Sequence, residues 1–352
     1  MDIVENELKK ISLMKAYSYL NKNPEENLPK LMDWMDAHLD DHVLAKQRAF
    51  FRDIIMKKDS NWYRLITSLW TDLDDAVRRT LFENIIINAN SYDASRIKKN
   101  SDRYKCNIPW IISLDLGDEQ NGLGFEKWDD VIDQAKALGT FLFVVGGQEP
   151  LQSKEELIAL CNKNRDCEFM VITDGSKLDE NFIQQILRVK NLIIALTVTE
   201  PVMSPELSER TELLRRWKVP YAAMCVYQSE NQDRFANESF FDDLVNHGVK
   251  LVFFLSAISE EKDKVYAKVK EYRKTKPILS IHFCKDRELI GGCVAGGRYY
   301  CNINAKGGVE PCFFVRSSDR TIATGSLLEA FRGPKFLEYY GKCPECPAIE
   351  KA

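Results

Sequence analysis

Histidine is scarce in this chain, with four residues in 352. A metal centre built from clustered imidazoles has too few ligands to draw on. An excess of charge of one sign is lacking as well. The 49 Lys and Arg face 53 Asp and Glu and leave a net charge of −4. The cations are spread along the chain, so there is no electrostatic footprint for nucleic acid or an anionic membrane. No apolar run reaches the roughly 18–20 residues that span a bilayer. The opening MDIVENELKK is too acidic and polar for a secretory signal, and a cytoplasmic protein is the expectation. There is no low-complexity tract and no repeat beyond an alternation of strands and helices. What remains is a composition of 45% hydrophobic and 29% charged residues, on a chain long enough for one large α/β domain and smaller units.

Cysteine is plentiful, with ten residues. In a reducing compartment these are poor disulfide candidates, and clustered ones point to metal. Cys106, Cys161, Cys167, Cys225 and Cys284 lie singly in apolar or amphipathic stretches and read as small buried hydrophobes. The other five crowd into residues 293–346.

Residues 1–105 read as a helical N-terminal domain. Leu28, Leu31, Met32, Met35 and Leu39 recur on one helical face, and DDAVRRTLFENIII repeats the pattern through Val77, Leu81, Phe82 and Ile85 behind Asp74 or Asp75. Trp34, Trp62 and Trp70 read as core or interdomain anchors. From 106 to 285 short apolar runs rich in β-branched and aromatic residues alternate with amphipathic helices. The predicted strands are 110–116, 140–145, 168–173, 191–198, 219–227 and 249–256. Such runs imply a parallel sheet buried on both faces. Six β/α units in series predict an α/β fold with a partial (β/α)6 TIM-like barrel, whose ligands gather at the C-terminal ends of the strands. A strand-like ILSIHF leads out into a Gly- and Cys-rich tail, residues 286–352.

Several stretches, among them NLPKLMDW, DSNWYRLI, FENIIINAN, YKCNIPWIISLD, LRVKNLIIAL and GGCVAGGRYYCNINAKGGVEPC, resemble in order and spacing one group of anaerobic bacterial radical S-adenosylmethionine (radical SAM) proteins. That group carries a helical N-terminal extension and a C-terminal SPASM or twitch-like cluster domain. The resemblance implies a CxxxCxxC loop just after the first strand, where three thiolates hold a four-iron cluster and leave one iron site open for SAM. Here the stretch after Asp115 reads LGDEQNGLGF and contains no cysteine, and Cys106 lies at the opposite end of the strand. Other positions that the resemblance assigns to SAM are also altered. The family's GGEP reads GGQEP, beginning at Gly146 and Gly147, so Gln148 takes the place of the second Gly while Glu149 and Pro150 remain, and the Gln148 Cβ obstructs a close backbone approach. Thr-Asn-Gly reads Thr173-Asp174-Gly175, which puts a carboxylate where a neutral amide is expected. The end of the fourth strand offers Thr197 and Thr199. Together these changes predict a degenerate core that neither binds nor cleaves SAM.

The tail keeps its motif better. Cys293, thirteen residues, Gly307, four residues and Cys312 resemble the opening of SPASM and twitch domains, with Gly307 supplying the turn between two ligand-bearing strands. Downstream, KCPECP places Cys343 and Cys346 at the spacing that clamps a metal. The four thiolates predict one closed centre, an iron–sulfur cluster or alternatively a zinc ion, acting as a staple for a tail with little core of its own. Cys301 alternates with Tyr299 and Ile303 and reads as a core residue. The implied functions are an auxiliary or binding pseudoenzyme that serves a peptide- or protein-modifying radical SAM system, with an intact radical SAM paralogue or its substrate as partner, or alternatively an iron–sulfur oxidoreductase or an enzyme that has repurposed the barrel mouth. Fold alone does not choose among them.

Overall fold

The protein is described from a computed structural model covering residues 2–38, 52–116, 122–256, 258, 262–342 and 346. Its centre is one nine-stranded sheet in the order β7-β6-β5-β4-β3-β2-β1-β8-β9. The strands are β1 (Ile111–Asp115), β2 (Leu142–Gly146), β3 (Glu168–Thr173), β4 (Leu192–Val198), β5 (Tyr221–Val226), β6 (Leu251–Leu255), β7 (Leu279–His282), β8 (Tyr300–Ile303) and β9 (Val309–Glu310). β1 to β7 pair in sequence order and all in parallel. This is the α/β, partial TIM-like architecture expected from the sequence, with ILSIHF supplying a seventh parallel strand rather than an exit into the tail.

The helices between strands explain why the sheet is buried on its outer side. Phe125–Leu138 turns Trp128, Val131, Ile132, Ala135 and Leu138 inward and stops at Gly139, whose φ of +110° is a left-handed helix end. Glu180–Val189 is capped by Asp179, which accepts from the Phe182 amide, and buries Phe182, Ile183, Ile186 and Val189. Beneath them Ile112, Leu114, Phe143, Val145, Phe169 and Val171 alternate along β1 to β3 in a continuous core.

The N-terminal helices Asp2–Leu20, Pro24–His38 and Asn61–Asp72 share a small core of Leu20, Leu28, Met32 and Ile55. Leu28 and Met32 are buried as the periodicity predicts. Leu39 lies outside the described residues, as does the side chain of Met35. Trp34 departs from its reading as an anchor and is 54% exposed, whereas Trp70 packs against the small core. Asp74 caps the helix Asp75–Leu81, and the chain then widens into a π-helix over Phe82–Tyr92 instead of continuing as α-helix. Asn61 donates to the carbonyls of Arg273 and Lys276, and Asn84 to that of Cys167, so polar side chains tie these helices to the N-terminal edge of the sheet. No helix among the described residues is long and apolar enough to cross a membrane.

The tail differs from the small-cored appendage that its length suggested. β8 pairs in parallel with β1, bringing Tyr300 opposite Ile111, and β9 folds back on β8. Cys301, Ile303, Val309, Ile322, Leu327, Phe331 and Phe336 join the main core. The tail therefore continues the sheet, and shared apolar burial holds most of it.

Candidate functional site: a barrel cavity and a thiol centre

Parallel strands turn alternate residues to opposite faces of the sheet. The inward residues of β1 to β6 and β8 enclose a cavity of about 650 Å³ with the loops above them. Of the six positions that the sequence assigned to a degenerate SAM site, Gly146, Gly147 and Thr197 line this cavity, together with Gln148. The other three brace a loop. Glu149 accepts hydrogen bonds from the Leu151 amide at 3.0 Å and the Thr173 hydroxyl at 2.7 Å, and its second oxygen accepts from the Asp174 amide at 3.0 Å. Thr173 is buried and its hydroxyl oxygen accepts from the Gly175 amide. Asp174 is exposed, and hydrogen bonds from Ser176 lower its carboxyl from the ordinary value. With its oxygens committed to this loop, Glu149 holds the turn after β2 in place. Asp115 lines the cavity where β1 ends. The next residues, 117–121, lie outside the described set, and the sequence from Asp115 to Phe125 holds no thiol. The donor set at the end of β1 therefore does not fit a three-thiolate cluster.

A second centre lies at the tail. Cys284, Cys293, Cys312 and Cys346 are all buried. The thiols of Cys284 and Cys293 each meet that of Cys346 in a hydrogen-bond contact, and Cys312 adjoins Cys284 and Cys293 closely enough to perturb both. Cys284 follows β7 with Phe283 between them. The sequence reading of this residue as an isolated buried hydrophobe is corrected here: it is buried, but against other thiols. Its place just after the last apolar strand of the barrel and upstream of Cys293 was the available signal. Cys293 sits in the loop ahead of β8 and not on a strand, and the Arg298 guanidinium donates to its carbonyl. Cys312 follows β9, beyond the hairpin turn that Gly307 makes at φ +83°. Cys301 lies fully buried in the main core, as its alternation along β8 predicts. Cys343 falls outside the described residues.

The electrostatics of this cluster follow from crowding. The Cys346 thiol and burial push Cys284 and Cys293 far above the ordinary thiol value, and burial pushes Cys312 up to about 12. Neighbouring thiolates in an apolar pocket repel one another, and a cation among them removes that penalty. Backbone amides already point at the sulfurs. The Ala295 amide donates to Cys293, and the amides of Phe313 and Phe314 donate to Cys312. Such donors favour the thiolate form and tune metal-bound sulfur. The donor chemistry therefore fits a soft metal or an iron–sulfur cluster. Among the described residues, no three His, Cys, Asp or Glu side chains stand in an assembled metal-holding arrangement.

Two sets of residues position the thiols. Phe283, Tyr300 and Phe313 pack with ring centroids 5.1–5.9 Å apart, and all three also line the barrel cavity, so an aromatic wall separates cavity from thiols. Behind Cys284, Lys285 forms a fully buried ion pair with Asp263, and Tyr227 donates to the same carboxylate at 2.6 Å while lying 2.7 Å from His282 Nε2. This network pins the segment that carries Cys284.

No family model and no curated protein matches the sequence. Solved structures do match the fold. Streptococcus suis SuiB superposes with a TM-score of 0.54 at 12% identity, covering 69% of this chain and 70% of SuiB. SuiB bound to precursor peptide SuiA gives 0.55 at 12% identity over 73% and 74% of the two chains. A histidine-tagged form of anSMEcpe with bound AdoMet gives 0.50 at 15% identity over 69% and 83%. These neighbours are radical SAM-type enzymes, and identities this low establish a likeness of fold.

Proposed function

We propose that this chain is a radical SAM-like protein that has lost the catalytic cluster site, keeps one metal centre in its tail, and works as an auxiliary or binding partner in a peptide- or protein-modifying system. The observation that carries the reading is the contrast between two places: a β1 terminus without thiols, and four buried thiols, one just after β7 and three in the tail, served by three backbone amides. Cys284, Cys293, Cys312 and Cys346 hold the centre, with Cys343 completing the CxxC pair. An iron–sulfur cluster there would supply one-electron transfer, and a zinc ion a closed structural staple. The residues of the chain itself exclude water through the aromatic wall and stabilise thiolate charge through the amides of Ala295, Phe313 and Phe314. A peptide or an intact radical SAM paralogue is the partner this reading implies; support comes from SuiB, a structure of the same fold that was crystallised with its precursor peptide.

The test is metal, sulfide and activity on anaerobically purified protein. The expected result is one cluster, seen as sulfur-to-iron absorption, with no 5′-deoxyadenosine formed from SAM under dithionite and no SAM affinity tighter than about millimolar, roughly −4 kcal/mol. One zinc and no colour would select the staple. Formation of 5′-deoxyadenosine, or a tail free of metal, would refute the proposal.

A further inference from the structure

The two faces of the sheet are both apolar but are covered differently. The outward residues Ile112, Leu114, Phe143, Val145, Phe169 and Val171 lie under helices and are at most 1% exposed. On the inward face Val144, Met170, Ile172, Phe253 and Leu255 are only half-buried, and Val226 is 41% exposed. All six line the cavity of about 650 Å³. This size lies within the range of small-molecule pockets, and apolar surface left uncovered inside a concavity marks such a site. Ser113, Thr197 and Tyr300 are the hydroxyl-bearing side chains of the lining, and its amides and charged groups lie at the strand ends and on the β8–β9 side, so the apolar floor itself is suited to a hydrocarbon body.

The rim has the opposite character. Lys306 on the β8–β9 turn and Arg316 beyond β9 are exposed and line the same cavity. Neither forms an ion pair or a side-chain hydrogen bond among the described residues. Two acidic groups face the cavity. Both oxygens of Glu310 are engaged, by the Asn302 amide at 2.8 Å and the Asn304 amide at 2.9 Å. Asp115 has an interaction of its own. The two cations are left for an incoming anion, and Arg presents a planar fork that matches a carboxylate.

We infer that the barrel cavity binds an amphipathic monocarboxylate, with its apolar body on the floor of Val144, Met170, Ile172 and Phe253 and its carboxylate between Lys306 and Arg316. This rests on the reading that the barrel no longer holds SAM. The Glu310 carboxylate on the wall disfavours a second negative charge on the ligand.

The experiment is calorimetric titration of the full, metal-loaded chain with sodium dodecanoate below its micellar range, compared with dodecan-1-ol and dodecyltrimethylammonium. Dodecanoate is expected to bind saturably with one site, the alcohol at least about tenfold more weakly, and the cation not at all. Arg316→Ala and Lys306→Ala should each weaken dodecanoate about tenfold and leave the alcohol unchanged. Both positions are exposed, so the fold is expected to tolerate the substitutions. Ile172→Trp, checked by circular dichroism, should fill the floor and remove binding of acid and alcohol alike. Alcohol binding as tight as the acid, no saturable dodecanoate binding, or rim variants that behave like wild type would overturn the inference. The failure of each reading is separable. Displacement of bound dodecanoate by micromolar SAM would overturn the SAM-free reading while the carboxylate site stood. An inert SAM titration with no dodecanoate binding would overturn the carboxylate site alone.

Discussion

Gly296→Ala is a local perturbation of the thiol centre whose size can be worked from the structure. Gly296 holds φ +64°, and a Cβ placed there would lie 2.1 Å from Cγ, 2.3 Å from Cδ2 and 2.5 Å from Cβ of Tyr339. An alanine in the left-handed region costs about 1–2 kcal/mol. Contacts this short also require the Tyr339 ring to leave its place against Cys293, Cys312 and Cys346. Uncovering most of that side chain forfeits about 2–3 kcal/mol of burial. The total is about 3–5 kcal/mol, and it falls on the wall of the thiol cluster proposed to hold metal, not on the barrel. The expected outcome is purified protein with intact helical dichroism and clearly reduced metal content. Gly291→Ala is the internal control, because its φ of +71° imposes similar backbone strain while nothing lies within 4 Å of the added Cβ. It should keep most of its metal. Equal metal content and equal thermal midpoints in the two variants would refute the steric argument, because backbone strain alone would then account for both.

Two further outcomes follow from the same structure. Cys284→Ser should reduce metal loading as severely as Cys293→Ser, whereas Cys301→Ser, in the main core, should lower stability and leave metal stoichiometry unchanged; metal analysis of the three variants decides this. Glu168, buried at the start of β3 with Asn84 donating to one oxygen, has its carboxyl raised well above the ordinary range by desolvation, so the folded state keeps a proton that the unfolded state releases. Its contribution to stability is then fully present below the unfolded pKa and declines by up to about 1.4 kcal/mol per pH unit above it. Glu168→Gln should flatten that decline in denaturant titrations between pH 5 and 8, and an unchanged pH profile would show that Glu168 ionises freely in the fold.

The barrel was legible because its signals are local. Runs such as NLIIALTV carry strand propensity and double-sided burial in the residues themselves, and Gly139 marks a helix end by its own conformational freedom. The tail was legible as a motif and misread as architecture. Nothing in YCNI states that it will pair with IISLD, far earlier in the chain, because parallel pairing is a non-local choice made by the core as a whole. Cys284 was overlooked for the same reason. Its spacing belongs to no CxxC pair, and only the fold of the tail brings the sulfurs of Cys346, Cys312 and Cys293 near it. Glu149 and Thr173 matched positions of a family's sequence pattern, yet their hydrogen bonds are spent on each other and on the loop. The type of a polar residue shows that it must find a partner, and the partner comes from the fold.

The placement of β8 links the cavity to the thiols. By pairing with the free flank of β1, it sets Tyr300 at the edge of the barrel opening, and the hairpin that follows delivers Lys306, Glu310, Phe313 and Arg316 to the same cavity. Cys312 immediately precedes Phe313, and Cys284 immediately follows Phe283, so two of the four thiols are covalent neighbours of the aromatic wall. A metal that draws those thiols together would thereby fix the rings that close one side of the cavity. In a barrel with thiols after β1, chemistry would occur inside that opening. Here the clustered thiols among the described residues lie behind the wall, so a metal held by them would reach the cavity mechanically, through Phe283 and Phe313, and would leave its apolar floor to a ligand.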